Sequence, residues 1–180
     1  LLSAVGFVVC SAFLGQLTLL LSPVALMIVW GYSLTKRYTV LCHIVLGLAL
    51  VLAPVAVWIA ITGSVGIPAL LLSCAVGTWV AGFDMIYACQ DADFDRAHQL
   101  RSVPSVFGVG RALVVSAVLH VCTLLALVAL PYWVSLGWVY WVGMTLIGLV
   151  LIWEHSIVKP SDLSRVNKAF FDLNGYISLV

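Results

Sequence analysis

Carboxylates are concentrated in one short segment of the chain. Four of the seven acidic residues lie there: Asp84, Asp91, Asp93 and Asp95. If a single helix runs through the segment, three of these aspartates and one tyrosine lie on the same face of it, within a stripe about 80° wide. Asp93 lies on the opposite face. The stripe consists of Asp84, Tyr87, Asp91 and Asp95. Three neighbouring carboxylates repel one another and need a cation, and magnesium is usually held by one or two carboxylates plus substrate phosphates. The spacing therefore indicates a magnesium site that binds a diphosphate ester.

The alternative for this segment is a solvated acidic loop whose carboxylates pair with Arg96 and Arg101. Asp84 argues against that alternative, because it follows an apolar run from Leu70 to Phe83. An ionisable group at such a depth in a membrane span is a candidate functional residue. For Asp93 the solvated interpretation is favoured.

The elements that must position these residues are membrane helices. The chain is 64% hydrophobic and only 8% charged, whereas about a quarter of a soluble domain is charged. Continuous apolar runs of about 20 residues, without strict alternation, predict helices that cross a bilayer. Five complete spans are predicted, near 17–34, 41–62, 68–89, 110–130 and 134–153. The predicted fold class is an all-α, polytopic transmembrane helical bundle.

We expect residues 1–180 to form a single transmembrane domain that is incomplete at both ends. The first residue is leucine, and the chain starts and stops inside the apolar runs 1–14 and 169–180. Both runs are interpreted as parts of further helices.

Basic residues alternate between the connections of these spans. All eight lie in or beside the loops 35–40, 90–109 and 154–168, while the connections 63–67 and 131–133 carry no charge. The positive-inside bias places the charged loops in the cytoplasm. We therefore expect an integral protein of the bacterial inner membrane with a cytoplasmic acidic mouth. The net charge of +1 and the lack of a basic face give no indication of a nucleic-acid partner.

Cysteine and histidine do not suggest a second centre. The five cysteines form no C-x-x-C pair, and an odd number cannot complete a disulfide framework, so they are interpreted as small buried residues. The four histidines lack the spacing of a zinc site and are interpreted as structural.

Three segments carry a resemblance to a known family. The acidic segment, Asp84-x-x-Tyr87-Ala88-x-x-Asp91-x-x-x-Asp95-Arg96 followed by Ser102-Val103-Pro104 and Phe107-Gly108, resembles the second aspartate-rich motif of the UbiA superfamily of intramembrane aromatic prenyltransferases. Tyr32-x-x-x-Lys36-Arg37-Tyr38-Thr39, with His43 and Leu46-Gly47, resembles its basic segment between the fourth and fifth helices. Phe171-x-x-Asn174-Gly175-Tyr176 resembles the start of its last helix. Two positions depart from the pattern: Gln99, where glycine is common, and Val106, where arginine is common.

The resemblance implies a bundle of nine helices, about seven of them in this chain, around a cavity that opens to cytoplasm and lipid. It implies that Mg²⁺ bridges a polyprenyl diphosphate to two aspartate motifs, that the allylic C–O bond ionises, and that the cation alkylates an electron-rich aromatic ring. The residues implied as metal ligands and catalytic groups are Asp84, Asp91 and Asp95, with Tyr87 orienting an aspartate or shielding the cation. Those implied in substrate binding are Tyr32, Lys36, Arg37, Arg96 and Arg101. For Lys36 and Arg37, membrane topology alone is an equally good explanation.

The first aspartate motif lies upstream of this sequence, so we expect the chain alone to be inactive. The first acceptor considered is 4-hydroxybenzoate, for ubiquinone synthesis. A carboxylated naphthoquinol precursor of menaquinone is the second, because the segment 52–63 resembles that group about as well; haem farnesylation fits less well. A helical transporter with Asp84 and Asp91 as ion ligands is a third possibility, although such sites usually lie near mid-membrane. A CDP-alcohol phosphotransferase lacks support because its Asp-Gly and Ala-Arg elements are missing here.

Overall fold

Helices form almost all of the regular structure. The structure is a computed structural model that describes residues 2–179, without the side chain of Ser33. The long helices are α1 (Leu2–Leu14), α2 (Gln16–Thr35), α3 (Cys42–Thr62), α4 (Ile67–Ala88), α7 (Val109–Ala129) and α8 (Trp138–Ile157). Short helices complete the fold: a 3₁₀ turn (Cys89–Asp91), α5 (Ala92–Ala97), α6 (Val103–Phe107), a second 3₁₀ turn (Leu130–Tyr132), a π-helix (Lys168–Leu173) and α9 (Asn174–Leu179). The predicted all-α class is confirmed.

Four helical stretches of the described chain are long and apolar enough to cross a membrane. They are α3, the stretch Ile67–Ala97 made of α4, the first 3₁₀ turn and α5, the stretch Val109–Tyr132 made of α7 and the second 3₁₀ turn, and α8. They correspond to four of the five predicted spans. The fifth, 17–34, is helical as well, because α2 runs for 20 residues from Gln16 to Thr35. The partial runs at both ends are helical as well, as α1 and as the π-helix with α9; their outermost residues, Leu1 and Val180, lie outside the described residues.

Glycine and proline set several helix boundaries. α3 ends at Gly63, which has φ of 71° and donates its N–H to the Ile59 carbonyl oxygen at 2.8 Å. A left-handed residue at this position suits glycine best, because residues with a Cβ are strained in that conformation. Pro68 lies in the first turn of α4, where its missing N–H costs nothing. The turn between α3 and α4 is therefore short, and the two helices run antiparallel.

α4 lies at the centre of the bundle, packed against α3 on one side and α7 on the other. Gly47 of α3 and Gly77 of α4 let the two backbones touch, since a Cβ on Gly47 would collide with the Gly77 carbonyl oxygen. On the opposite side, the Ser116 hydroxyl of α7 donates to the Gly82 carbonyl oxygen of α4 at 2.7 Å. Small residues and interhelical hydroxyl bonds are the usual means of helix association in lipid.

The charged connections lie at one end of the bundle, where α2, α4 and α8 end and α3 and α7 begin; we call it the charged end. Beneath it lies a core of buried side chains from α4, the first 3₁₀ turn, α6, α7, the last connection and the π-helix. The core consists of Met85, Ile86, Cys89, Val103, Ala112, Leu113, Val158, Val166 and Ala169.

In the exposed last connection, the Ser164 backbone N–H donates a hydrogen bond to the Asp162 carboxylate. Hydrogen bonding from Ser164 lowers the pKa of that carboxyl group.

The assumption of one continuous helix through the acidic segment was wrong. α4 ends at Ala88, a 3₁₀ turn follows, and α5 starts at Ala92. A 3₁₀ turn advances about 120° per residue instead of about 100°, so three residues rotate the following chain by about 60° relative to the predicted stripe. Gln99 then adopts φ of 56°, a left-handed conformation that explains why glycine suits this position better.

Candidate active site

One cavity at the charged end brings together most of the residues singled out in the sequence. Its volume is about 280 Å³, and its wall is formed by the C-terminal ends of α2 and α4 and the N-terminal end of α3. The lining residues are Tyr32, Lys36, Cys42, His43, Leu46, Asp84, Tyr87, Ala88 and Asp91. Since α3 and α4 touch at Gly47 and Gly77 about one to two turns away, the two helix ends are held close on either side of the cavity. The resemblance motif on α2 and that on α4 therefore share one site.

Asp84 is held by a histidine that the sequence analysis had set aside as structural. His43 Nδ1 lies 2.7 Å from Asp84 Oδ2, and the histidine is only 2% exposed. An ionised carboxylate only accepts hydrogen bonds, so Nδ1 is the donor when Asp84 carries its charge. The Asp84 side chain remains 28% accessible, which leaves part of the carboxylate facing the cavity. The position of His43, in the first turn of a span beside the basic motif, was the signal that marked it.

Tyr87 joins the cavity to an aromatic cluster at the C-terminal end of the chain. Its ring lies 4.2 Å from the ring of Phe170, centroid to centroid, and 6.2 Å from that of Phe171. Phe83, one turn earlier on α4, meets Phe170 edge to face at 5.4 Å. The π-helix that carries both phenylalanines thus forms an aromatic wall behind Tyr87.

The remaining aspartates lie in three different environments. Asp91 ends the 3₁₀ turn, is exposed, and lines the cavity. The Asp93 side chain is 95% exposed and pairs with Arg96, which confirms its predicted orientation towards solvent. Asp95 is fully buried and lies outside the cavity wall: its Oδ1 is 2.9 Å from Lys36 Nζ, and its Oδ2 accepts a 2.7 Å hydrogen bond from the Ser102 hydroxyl.

The arginines predicted to bind substrate are engaged with the chain itself or lie apart. Arg96 donates from Nε to the Ser105 carbonyl oxygen at 2.9 Å, besides its contact with Asp93. Arg101 donates from Nη1 to the Tyr38 carbonyl oxygen at 3.2 Å. Arg37 is exposed and does not line the cavity. Of the five residues predicted for substrate binding, Tyr32 and Lys36 are therefore the two that reach it.

The cavity wall is suited to magnesium only together with a phosphate ligand. Among the residues that the structure describes, no three His, Cys, Asp or Glu side chains come close enough to hold a metal ion. Two carboxylates, Asp84 and Asp91, do line the cavity beside Lys36. Magnesium is commonly held by one or two carboxylates, with water and substrate phosphates completing its coordination. The donor set fits that pattern and does not fit a metal held by protein alone.

A larger cavity of about 660 Å³ lies between α3 and α4 nearer their other ends, but it has no ionisable side chain in its wall.

A buried polar network that the sequence did not reveal joins four helices: α4, α7, α8 and α9. Asn174 accepts a 2.8 Å hydrogen bond from Trp79 Nε1 and donates to Glu154 Oε1 at 3.3 Å. His120 lies 2.9 Å from His155, nitrogen to nitrogen. This network fastens the segment that carries the aromatic wall to α4 and α8.

Comparison with known proteins agrees with this geometry. The UbiA prenyltransferase family matches residues 1–176. Relatives named 4-hydroxybenzoate octaprenyltransferase include one from Citrobacter koseri, 32% identical over 93% of this chain, and one from Sodalis glossinidius, 30% identical over 89%. The chain spans 57% and 55% of their lengths. The apo structure of a UbiA homolog from Aeropyrum pernix K1 superimposes with a TM-score of 0.86 at 30% identity, covering 98% of this chain and 67% of that one. The chain belongs to the UbiA prenyltransferase family.

Proposed function

We propose that the protein of which this chain is part transfers a prenyl group from a prenyl diphosphate to an aromatic acceptor. The observation that carries the proposal is the cavity at the charged end, where Asp84 and Asp91 line the same wall as Lys36 and Tyr32. A diphosphate in this cavity has a cationic side chain beside it and two carboxylates for its counter-ion. Membership of the family favours prenyl transfer over the ion transporter, and the position of the carboxylates at a helix end points the same way.

The residues of the cavity have separate tasks in this proposal. Bound magnesium supplies neutralisation of the charge that develops on the departing diphosphate. Asp84, with His43 holding one carboxylate oxygen, and Asp91 are the protein ligands of that ion. Lys36 donates hydrogen bonds to the diphosphate. Tyr87, backed by Phe170, presents an aromatic ring whose π face stabilises the allylic cation after the C–O bond breaks.

We propose 4-hydroxybenzoate as the acceptor, in ubiquinone synthesis, because the curated relatives bear that name. A new C–C bond forms on the ring, the ring proton is lost, and diphosphate leaves. The alternative acceptor is the carboxylated naphthoquinol of menaquinone synthesis. We place the protein in the bacterial inner membrane with the charged end in the cytoplasm.

The test is an assay of the full-length protein in detergent or lipid with a prenyl diphosphate and each acceptor in turn. We expect a prenylated 4-hydroxybenzoate by mass spectrometry, in the presence of magnesium and not after its removal with a chelator. Transfer only to the naphthoquinol would replace the first acceptor by the second. No transfer to either acceptor, with a protein shown to be folded by its thermal transition, would contradict the proposed function.

A further inference from the structure

The π-helix Lys168–Leu173, which leads into α9, depends on one side chain for two of its hydrogen bonds. In a regular α-helix the Phe170 carbonyl oxygen would accept from the Asn174 backbone N–H, but that N–H donates to the Phe171 carbonyl oxygen. The Asn174 side-chain amide supplies a replacement, because its Nδ2 donates to the Ala169 and Phe170 carbonyl oxygens at 3.1 Å each. A side chain that enters the helical hydrogen-bond ladder in this way stabilises an irregular turn.

Asn174 is in turn fixed by two other helices. Its Oδ1 accepts a 2.8 Å hydrogen bond from Trp79 Nε1 of α4, and its amide also donates to Glu154 Oε1 of α8 at 3.3 Å. An indole N–H can only donate and a carbonyl oxygen can only accept, so these partners decide which end of the amide faces α4 and which faces the π-helix. The asparagine is buried, so its loss would leave these groups without partners and without access to water.

The π-helix faces a stripe of three aromatic side chains on α4. Trp79, Phe83 and Tyr87 are spaced four residues apart and therefore lie on one face of the helix. Trp79 bonds to Asn174, whereas Phe170 meets Phe83 at 5.4 Å and Tyr87 at 4.2 Å, centroid to centroid. A π-helix holds more residues in each turn than an α-helix does. A change of this segment to regular α-helix would therefore rotate Phe170 relative to α9 and move its ring from the stripe.

We infer that Asn174 is a positioning residue for prenyl transfer, which holds the π-helix in the conformation that packs Phe170 against Tyr87. The inference rests on the proposed function, in which the ring of Tyr87 stabilises the allylic cation. Tyr87 lines the cavity and Phe170 supports it from behind, so loss of that support leaves room for water beside the cation. Asn174 does not line the cavity, so its substitution changes the fate of the cation and not the binding of the diphosphate.

Two products distinguish the fates of the cation. When the allylic C–O bond breaks, its electron pair leaves with the diphosphate. Attack by the aromatic ring then forms a C–C bond and releases the ring proton, whereas attack by water forms a C–O bond, releases a proton and gives a prenyl alcohol. One diphosphate is released in either case. The ratio of prenyl alcohol to prenylated acceptor therefore measures how well the cation is shielded from water.

The first test compares Asn174→Leu, Phe170→Leu and the milder Trp79→Phe in the full-length protein, with both products measured by mass spectrometry. Asn174→Leu and Phe170→Leu should each raise the ratio of alcohol to prenylated acceptor about tenfold or more, and Trp79→Phe about threefold, while KM for the prenyl diphosphate changes less than about twofold. The double variant of Asn174 and Phe170 should stay within about twofold of Asn174→Leu, because both substitutions remove the same ring from Tyr87. Asn167→Ala is the matched control, since Asn167 is an exposed amide at the start of the same segment.

A second measurement follows the segment without any catalysis. Backbone hydrogen exchange in peptides that cover 168–179, measured by mass spectrometry, should be about fivefold or more faster in Asn174→Leu and unchanged in Asn167→Ala. The thermal transition of each variant shows whether it is folded. Phe170→Leu should lower the transition temperature of the unaltered protein by more than it lowers that of Asn174→Leu, in which the ring has already left the stripe.

Either of two results in a folded Asn174→Leu protein overturns the inference: unchanged exchange in 168–179, or a loss of activity in which prenyl alcohol and prenylated acceptor fall together. If Asn174→Leu does not fold, the same two results in Trp79→Phe decide. If the unaltered protein transfers no prenyl group to either acceptor, the proposed function fails. The exchange and the thermal transitions then still decide whether Asn174 holds the π-helix against α4.

Discussion

At the scale of single residues, four aspartates within twelve positions have four different surroundings. Asp84 is bonded to a buried histidine, Asp91 is open to the cavity, Asp93 faces solvent with Arg96, and Asp95 is buried against Lys36. The chemistry open to a carboxylate depends on its partners and accessibility more than on its type. Of these four, Asp84 and Asp91 are the two that line the cavity.

Asp91→Asn should lower kcat/KM for prenyl transfer at least about 100-fold, an effect comparable to the loss of one electrostatic stabiliser at a transition state. The substitution removes the exposed charge at the cavity mouth and keeps the shape of the side chain. The assay is product formation at saturating acceptor with varied donor. Asp93→Asn, equally close in sequence but outside the cavity, should lose much less. Equal losses in the two variants would contradict the assignment of Asp91 to the site.

At the scale of the elements, the cavity depends on how closely α3 approaches α4. The backbones meet at Gly47 and Gly77, and Ser73 adds a 3.0 Å hydrogen bond to the Val51 carbonyl oxygen. His43 lies one turn before Gly47 and Asp84 two turns after Gly77, so the glycine contact sets the separation of the histidine from the aspartate. The geometry of the site is in this sense a consequence of helix packing.

Gly47→Ala should therefore lower the free energy of unfolding by about 1–3 kcal/mol, since the added methyl group collides with a backbone carbonyl that cannot rotate away. The measurement is the thermal transition of the purified protein in detergent. Gly148→Ala is the control, because its Cβ would lie 3.8 Å from Leu124, an ordinary van der Waals contact. A destabilisation by Gly148→Ala as large as that by Gly47→Ala would show that helix glycines matter here for some reason other than close packing.

At the scale of the whole molecule, charge is confined to one end of an otherwise apolar bundle. The loops at that end hold Lys36, Arg101 and the acidic segment, while the turn at Gly63 and the one at Pro131 have no charge. Such asymmetry orients a membrane protein during insertion. Under the proposed function, the same asymmetry would place a charged diphosphate and an apolar prenyl chain in the environments that each requires.

The orientation of the bundle can be tested with single cysteines in a cysteine-free background. A cysteine in place of Ser64 should react in intact cells with a thiol reagent that does not cross membranes. One in place of Ser161 should react only after permeabilisation, since positive loops remain in the cytoplasm. Both serines are exposed. The reverse labelling pattern would put the charged end outside the cell.

The 180-residue chain expressed by itself should give no prenyl transfer above background. The cavity supplies two carboxylates, Asp84 and Asp91, and these alone would hold too little magnesium to neutralise a leaving diphosphate that carries about three negative charges. Magnesium should bind no more tightly than about millimolar, as titration would measure, and Asp91→Asn should weaken it. Robust turnover by this chain would mean that one aspartate motif suffices.

The sequence by itself determined the class of the molecule and singled out several residues of its site. Long apolar runs leave helices as the means to satisfy the backbone in lipid. The spacing of Asp84 and Asp91, and the family resemblance of the segment from Tyr32 to Lys36, pointed to four residues that line the cavity. These properties depend on local composition and on neighbours along the chain.

Only the tertiary structure decided the partners of individual side chains. It separated Asp95 from the predicted stripe, because a 3₁₀ turn that no residue pattern had announced rotated the chain after Ala88. It showed that Asp84 hydrogen-bonds to His43, 41 positions away in the sequence, and that Asp95 forms an ion pair with Lys36, 59 positions away. Hydrogen bonds and ion pairs require distances below about 4 Å. For residues far apart in the sequence, such distances are set by how the helices pack, and the periodicity of the sequence does not predict that packing.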